Sequence, residues 1–198
     1  MNARLFAIFV GIAVAAAVIG YSVAPLAQGL QINPFSKYYE NVARAAKQND
    51  APTVRSLIAN GGYPDQTDDE GRTGMHYAAI NGNLQIIAIL VKGGAKLDPK
   101  EKLGNTPLHL AADRSQVEAA KLLLDAGATV DAENKDGMTP LMIAASHGNI
   151  EIVLALLAKG ASITKTDYTG RDAAGWASES HRPAVLQAIK RAQSAKKT

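Results

Sequence analysis

The chain has 198 residues, room for one domain of ordinary size plus a short appendage, and 47% of them are hydrophobic, which excludes a chain too polar to build a core. Its 21 basic and 18 acidic side chains leave a net charge of only +3, and much of the basic balance sits in Lys190, Arg191, Lys196 and Lys197, beyond the last acidic residue, Glu179, rather than in the basic stripe that a nucleic-acid partner calls for. With no cysteine at all, disulfides, thiolate catalysis and cysteine-ligated zinc are excluded.

Taken in chain order, the first feature is the uncharged run from Leu5 to Ala24, which as a helix of about 30 Å matches the hydrocarbon core of a bilayer. It reads as a membrane anchor or a signal sequence over residues 1–24. The best small-x-small site, Ser22-Val23-Ala24, is followed at once by Pro25, and the run exceeds the usual apolar core of a cleaved signal, so an uncleaved anchor is the preferred reading and a cleaved signal the alternative. Arg4 precedes the span, and no Lys or Arg follows it until Lys37. Positive charge stays on the cytoplasmic side, so the remainder is expected outside the cytoplasm: anchored in the inner membrane with its domain in the periplasm, or soluble there or secreted if the signal is removed. Gly11 and Ala15, like the alanines around them, suit close helix approach but equally suit plain signal composition. Residues 25–37, with Pro25, Gly29 and Asn33-Pro34, read as a linker.

Beyond the linker the chain repeats. Gly71, Gly104, Gly137 and Gly170 stand 33 residues apart, and Gly61, Gly94, Gly127 and Gly160 keep the same period, the mark of a solenoid. Pro107 and Pro140 suit the first turn of a helix, with Thr106 and Thr139 before them as caps. Ala111-Ala112 and Ala144-Ala145 are small where stacked helices meet, and Gly82-Asn83 and Gly148-Asn149 give a tight turn and a cap for a second helix. Ile152, Val153, Leu156 and Leu157 make the apolar face of that helix. One unit departs from the pattern: Asp113-Arg114-Ser115-Gln116 replaces the Gly-Asn turn, which puts Ser115 in a backbone made for glycine and points to a locally reshaped turn.

With Thr106-Pro107-Leu108-His109 intact and close variants at Thr73-Gly74-Met75-His76 and Thr139-Pro140-Leu141-Met142, the chain closely resembles the ankyrin repeat, and in particular short bacterial ankyrin proteins with an N-terminal signal or anchor. The resemblance covers residues 38–193 in units 38–70, 71–103, 104–136, 137–169 and 170–193, followed by a basic tail, 194–198. It implies an all-α solenoid of about five stacked helix-turn-helix units with β-hairpin-like tips, preceded by one hydrophobic N-terminal helix.

No convergent acids, bases or nucleophiles, phosphate loop or close histidine pair occurs, so the chain reads as no enzyme, with no catalytic or metal residues, no cofactor, no small-molecule substrate and no nucleic acid. The family resemblance gives His76 and His109 a structural bond to the turn backbone, and Asp68-Asp69-Glu70 reads as a solvated tip. The expected partners are a protein of unknown identity and, through residues 5–24, a membrane. Resemblance places the protein contacts on the concave face and its tips, at Arg72, Ile80 and Asn81; Lys102, Leu103, Asn105, Asp113 and Arg114; Lys135, Met138 and His147; and Tyr168 and Arg171. Ile80, Leu103, Met138 and Tyr168 are apolar or aromatic there without evident scaffold duty, as binding anchors are. A membrane-tethered adaptor or scaffold is the first expectation, with an inhibitor or immunity protein of the cell envelope, or a structural spacer, as alternatives.

Overall fold

A computed structural model describes residues 41–195. The apolar run 5–24, the linker 25–37 and the last three residues of the tail lie outside the described residues. Each unit folds as two short antiparallel helices, because a threonine, asparagine or aspartate stands before eight of the ten described helices and a left-handed residue reverses the chain between the two. The pairs are α1 (Val42–Lys47) with α2 (Ala51–Ala59), α3 (Gly74–Asn81) with α4 (Leu84–Lys92), α5 (Pro107–Asp113) with α6 (Val117–Asp125), α7 (Pro140–His147) with α8 (Ile150–Ala158), and α9 (Ala173–Glu179) with α10 (Pro183–Ala195). Helix α10 carries the last unit two residues past the boundary expected from the repeat, into the tail. No helix among the described residues is long and apolar enough to cross a membrane.

The first helices stack in order, α1 on α3, α5, α7 and α9, and the second helices form a parallel row, α2 on α4, α6, α8 and α10. Stacking is what makes the fold stable, since no single pair buries a core of its own. Met75, Leu108 and Leu141 occupy one register and are each at most 1% exposed. Burying one such side chain contributes about 2 kcal/mol. Ala78, Ala79, Ala111, Ala112, Ala144 and Ala145 are fully covered where the first helices touch, which is why larger residues are absent from those positions.

The turn within each pair needs a left-handed residue. Gly82 and Gly148 supply it with φ of 67° and 77°, and Asn49, Ser115 and His181 hold the same place with φ of 62°, 56° and 55°. The turn at Ser115 therefore keeps the left-handed backbone of its glycine counterparts in place of the reshaped form expected, and what differs is the residue after it. Asn83 and Asn149 cap α4 and α8 through Oδ1, accepting from Ile86 at 2.9 Å and Ile152 at 3.1 Å, whereas Gln116 makes no cap. Instead, Gln116 Nε2 crosses back to the preceding unit and donates to the Ile80 carbonyl at 3.2 Å. Arg182, two units on, does the same to the Ser146 carbonyl at 3.3 Å. Each of these long side chains lies over the bare glycine of the preceding turn: a Cβ on Gly82 would stand 2.2 Å from Gln116 Oε1, and one on Gly148 2.6 Å from Arg182 Cδ.

Candidate functional site

Between one pair and the next the chain runs out to a tip. Among the described residues no strand forms there and one isolated bridge, Thr67 with Thr73, is present. The hairpin character survives in the hydrogen bonds. Asp68 N–H donates to the Arg72 carbonyl, and the same closure joins Glu101 to Asn105, Asn134 to Met138 and Asp167 to Arg171 at 3.0–3.1 Å. Each tip is also tied from inside by one side-chain oxygen. Asp68 Oδ1 accepts from the amides of Glu70 (3.0 Å) and Arg72 (2.8 Å), Glu101 Oε1 from those of Leu103 and Asn105 (3.1 Å each), Asn134 Oδ1 from those of Asp136 and Met138, and Asp167 Oδ1 from those of Thr169 and Arg171. These four residues share the 33-residue period with the glycines. The spacing that identified the glycines could have found them, but their differing side chains conceal the common role of acceptor.

Successive tips are joined edge to edge. Lys102 N–H donates to the Glu70 carbonyl at 3.0 Å, Lys135 N–H to Leu103 at 3.0 Å and Tyr168 N–H to Asp136 at 3.1 Å. Below the tips, His76 and His109 bind two units together. Each Nδ1 accepts the amide of its own helix cap, Thr73 at 3.0 Å and Thr106 at 3.1 Å, which places the proton on Nε2. Nε2 then donates to a carbonyl of the following unit, Asn105 at 3.1 Å or Met138 at 3.0 Å. Burial lowers both imidazole pKa values, that of His109 to about 4, so both are neutral at pH 7.

On this frame the contact residues expected from the sequence divide into two sets. Leu103 and Tyr168 stand out at 62% and 76% exposure, and Lys102, Lys135, Arg114 and His147 are also exposed. Ile80 and Met138, by contrast, are half-buried and packed against the core, so the expectation that the scaffold has no need of them is corrected: both have a packing role. Asn81 Nδ2 donates to the Ala46 carbonyl at 3.2 Å, and Asn105 bonds Glu101 and Asn134 at its own tip and the next, so these amides also hold units together. Arg72 is half-buried, and its Nε is buried without a hydrogen-bond partner. Arg171 lies over the Trp176 ring at 4.4 Å and pairs with Glu179 at 2.8 Å. Asp113 bridges Arg114 (3.2 Å) and His147 (3.6 Å) across neighbouring units.

The exposed set therefore places Lys102, Leu103, Lys135 and Tyr168 on the tips, beside the exposed carboxylates of Glu70 and Asp136, and Arg114 and His147 at the C-terminal ends of the first helices. It positions side chains for contact, and it brings together no acid, base and nucleophile. A family model of ankyrin repeats (3 copies) matches residues 42–134 and 127–197, nearly all of the described chain. Repeats of this kind are generally protein–protein interaction modules and a non-catalytic fold. Stacked helix pairs, bonded tips, the Thr-Pro-Leu-His turn and the family match agree, and the chain belongs to the ankyrin-repeat family.

Proposed function

We propose that this chain is a protein-binding scaffold, tethered by residues 5–24 with its repeats outside the cytoplasm, that grips its partner through the tips and the adjoining ends of the first helices. One observation carries the reading: Leu103 and Tyr168 are large, apolar and more than half exposed on tips whose backbone is closed by its own hydrogen bonds and bonded to a neighbouring tip. Fixed apolar side chains lose little freedom on binding and are the usual source of affinity. The tether rests on the uncharged run and on the single flanking charge at Arg4. Photo-cross-linking in cells, with a photoreactive residue placed at position 103 or 168, tests the contact surface. A discrete adduct formed from these positions, and not from position 121 on the second helices, is the expected result. Adducts from position 121 alone would refute the surface assignment.

A further inference from the structure

The glycines that begin the units, Gly71, Gly104, Gly137 and Gly170, all take left-handed backbone, with φ of 76°, 80°, 76° and 81°. What lies over each of them differs. A Cβ on Gly170 would meet nothing within 4 Å, and one on Gly71 would be in ordinary contact, at 3.6 Å, with the backbone of Glu101 and Lys102. One on Gly104 would stand 2.8 Å from Lys135 N. One on Gly137 would stand 3.1 Å from Tyr168 N and only 2.8 and 2.9 Å from Cδ1 and Cε1 of the Tyr168 ring. Burial follows the same order, since Gly170 is exposed, Gly71 half-buried, and Gly104 and Gly137 buried.

Left-handed backbone alone accounts for a glycine at all four places, but not for the ring against Gly137. Lys102, Lys135 and Tyr168 hold one repeat position, and each donates its N–H to the tip before it, Tyr168 to the Asp136 carbonyl at 3.1 Å. That bond brings the Tyr168 backbone to the edge of the 134–138 tip, and one edge of the ring then lies on the bare Cα of Gly137. A methyl group at position 137 would claim the space of that ring edge, closer than the 3.0 Å that Cβ contacts observe. The residue is still 76% exposed, so the seat covers a small part of the ring and leaves the rest for contact. A ring seated in this way has fewer orientations to lose when a partner covers it. Immobilising a mobile side chain weakens binding by about two- to tenfold.

We infer that Gly137 is a positioning residue for binding: its missing side chain seats the Tyr168 ring on the neighbouring tip and so orders the anchor before a partner arrives. The inference rests on the protein-binding reading above and adds to it a buried residue that acts through Tyr168 alone. It also separates the two anchors. Over Gly71 the nearest atoms are the backbone of Glu101 and Lys102, and Leu103 has no comparable seat there. Tyr168 is therefore the preordered anchor of the two, and a change at position 137 acts on contacts made by Tyr168 rather than on those made by Leu103.

Random peptides of about twelve residues, displayed on phage and selected against the full-length chain in detergent micelles, supply the probe. Peptides whose capture is lost on Tyr168→Ala, and others lost on Leu103→Ala, are synthesised, and their dissociation constants are measured by fluorescence anisotropy. Three glycine changes then form a series. Gly71→Ala adds left-handed strain alone, Gly104→Ala adds strain and crowding of the next tip's backbone, and Gly137→Ala adds loss of the ring's seat as well. Gly137→Ala should weaken a Tyr168-dependent peptide by about two- to tenfold beyond the effect of either other change, and a Leu103-dependent peptide no more than Gly104→Ala does. Thermal unfolding of each variant checks the fold. The parent gives a second readout that does not require Gly137→Ala to fold: the Tyr168 ring should shift the α-proton resonances of Gly137, and that shift should vanish in Tyr168→Leu. Equal losses across the three glycine variants, or Gly137 resonances unmoved by Tyr168→Leu, would overturn this inference and leave the protein-binding reading standing, as would peptides that depend on Leu103 and never on Tyr168. Peptides indifferent to both anchors, or no enrichment over bare micelles, would overturn both.

Discussion

Trp176 donates its indole N–H to Oδ2 of Asp167 at 2.9 Å, nine residues away, and Tyr77 donates its hydroxyl to Oδ2 of Asp68 across the same spacing. In the two units between, the tip residue is Glu101 or Asn134 and the residue at that spacing is Leu110 or Ile143, which has nothing to donate. Asn134 in turn spends its Nδ2 on Asn105 Oδ1 at 2.9 Å. The chain thus pairs an aspartate tip with an aromatic donor and an asparagine tip with an aliphatic residue. Both aspartates sit below the ordinary carboxylate pKa: burial alone would raise them, but the bonds from Tyr77 or Thr169 and from the tip amides outweigh it.

The pairing predicts a coupling that a double-mutant cycle measures. Asp167→Asn keeps an acceptor for the tip amides but turns an N–H₂ toward the Trp176 N–H, and should destabilise the chain by about 1–3 kcal/mol. In a Trp176→Ile background, which copies the Asn134 and Ile143 arrangement, the same change should be milder by about 1 kcal/mol. Urea unfolding of the four proteins gives the number. Equal effects in both backgrounds would show that the indole bond does not select the aspartate.

The two capped histidines predict an acid-sensitive fold, and the sign follows from their lowered pKa values. Above an unfolded value near 6.5 both states hold neutral imidazole and the full stability is present. As pH falls below 6.5 the unfolded chain takes up protons that folded His109 resists until about pH 4, so stability drains away across that window. The shift of His109 corresponds to roughly 3 kcal/mol when the window has been crossed. His76 acts in the same direction, and Asp68 and Asp167 extend the loss to lower pH. The unfolding midpoint should therefore fall between pH 7 and pH 5, and His109→Met, the residue that stands at the equivalent position 142, should lose less over that range than the parent does.

Ser115 offers a stabilising change. Its φ of 56° costs a residue with a β-carbon about 1 kcal/mol relative to glycine, and its side chain is exposed. Ser115→Gly should raise the unfolding midpoint by an amount near that figure. The reverse change at Gly82 should be damaging for two reasons, left-handed strain and collision with Gln116, and Gly82→Ala combined with Gln116→Asn should recover the second part. An unchanged midpoint in Ser115→Gly would show that the turn relaxes around serine at no cost.

The proposed topology is tested by fusing a reporter active only after export to the C-terminus of the full chain. Activity supports an extracytoplasmic repeat domain, and moving Arg4 to the far side of the apolar run should reduce it. Activity from a cytoplasm-only reporter would overturn the topology, and a mature N-terminus near Val23 or Pro25 would identify a cleaved signal in place of an anchor.

The helix pairs were legible because period, caps and turns each leave a residue type that few positions tolerate: Thr106 before Pro107, Gly82 before Asn83, paired alanines at the contact of first helices. The tip acceptors were not, since Asp68, Glu101, Asn134 and Asp167 differ in charge and length while doing one task. Exposure was harder still. Leu103 and Met138 both follow from a position argument as apolar contacts, yet one lies before the tip glycine and stays in solvent while the other lies after it and turns onto the core. Only the packing of neighbouring units decides between them. Gln116 could have been read as a lost cap, and the reach of its side chain to Ile80 needs the adjacent unit to be seen.

That division between scaffold and contact predicts opposite outcomes for residues a few positions apart. Leu103→Ala and Tyr168→Ala remove side chains that are mostly in water already, so each should leave stability within about 0.5 kcal/mol of the parent. Met138→Ala and Ile80→Ala empty half-buried space against the core and should each cost about 1–2 kcal/mol, the lower part of the range for large-to-small changes. Against a partner the order should invert. Losing both exposed anchors should weaken binding by about 2 kcal/mol or more, roughly thirtyfold, while charge reversal at Lys121 or Lys159 should leave it unchanged. Those two lysines sit at the second helices, paired with Glu118 at 2.9 Å and Asp125 at 2.8 Å, and exposed pairs of that kind add little to folding either. Chemical denaturation and titration calorimetry on the same seven variants, the paired change included, separate the two effects. If the Leu103 and Tyr168 changes unfold the chain as readily as the Met138 change, their exposure is not that of free anchors; if a reversal at Lys121 abolishes binding, the partner docks on the second helices and the tip surface is not its site.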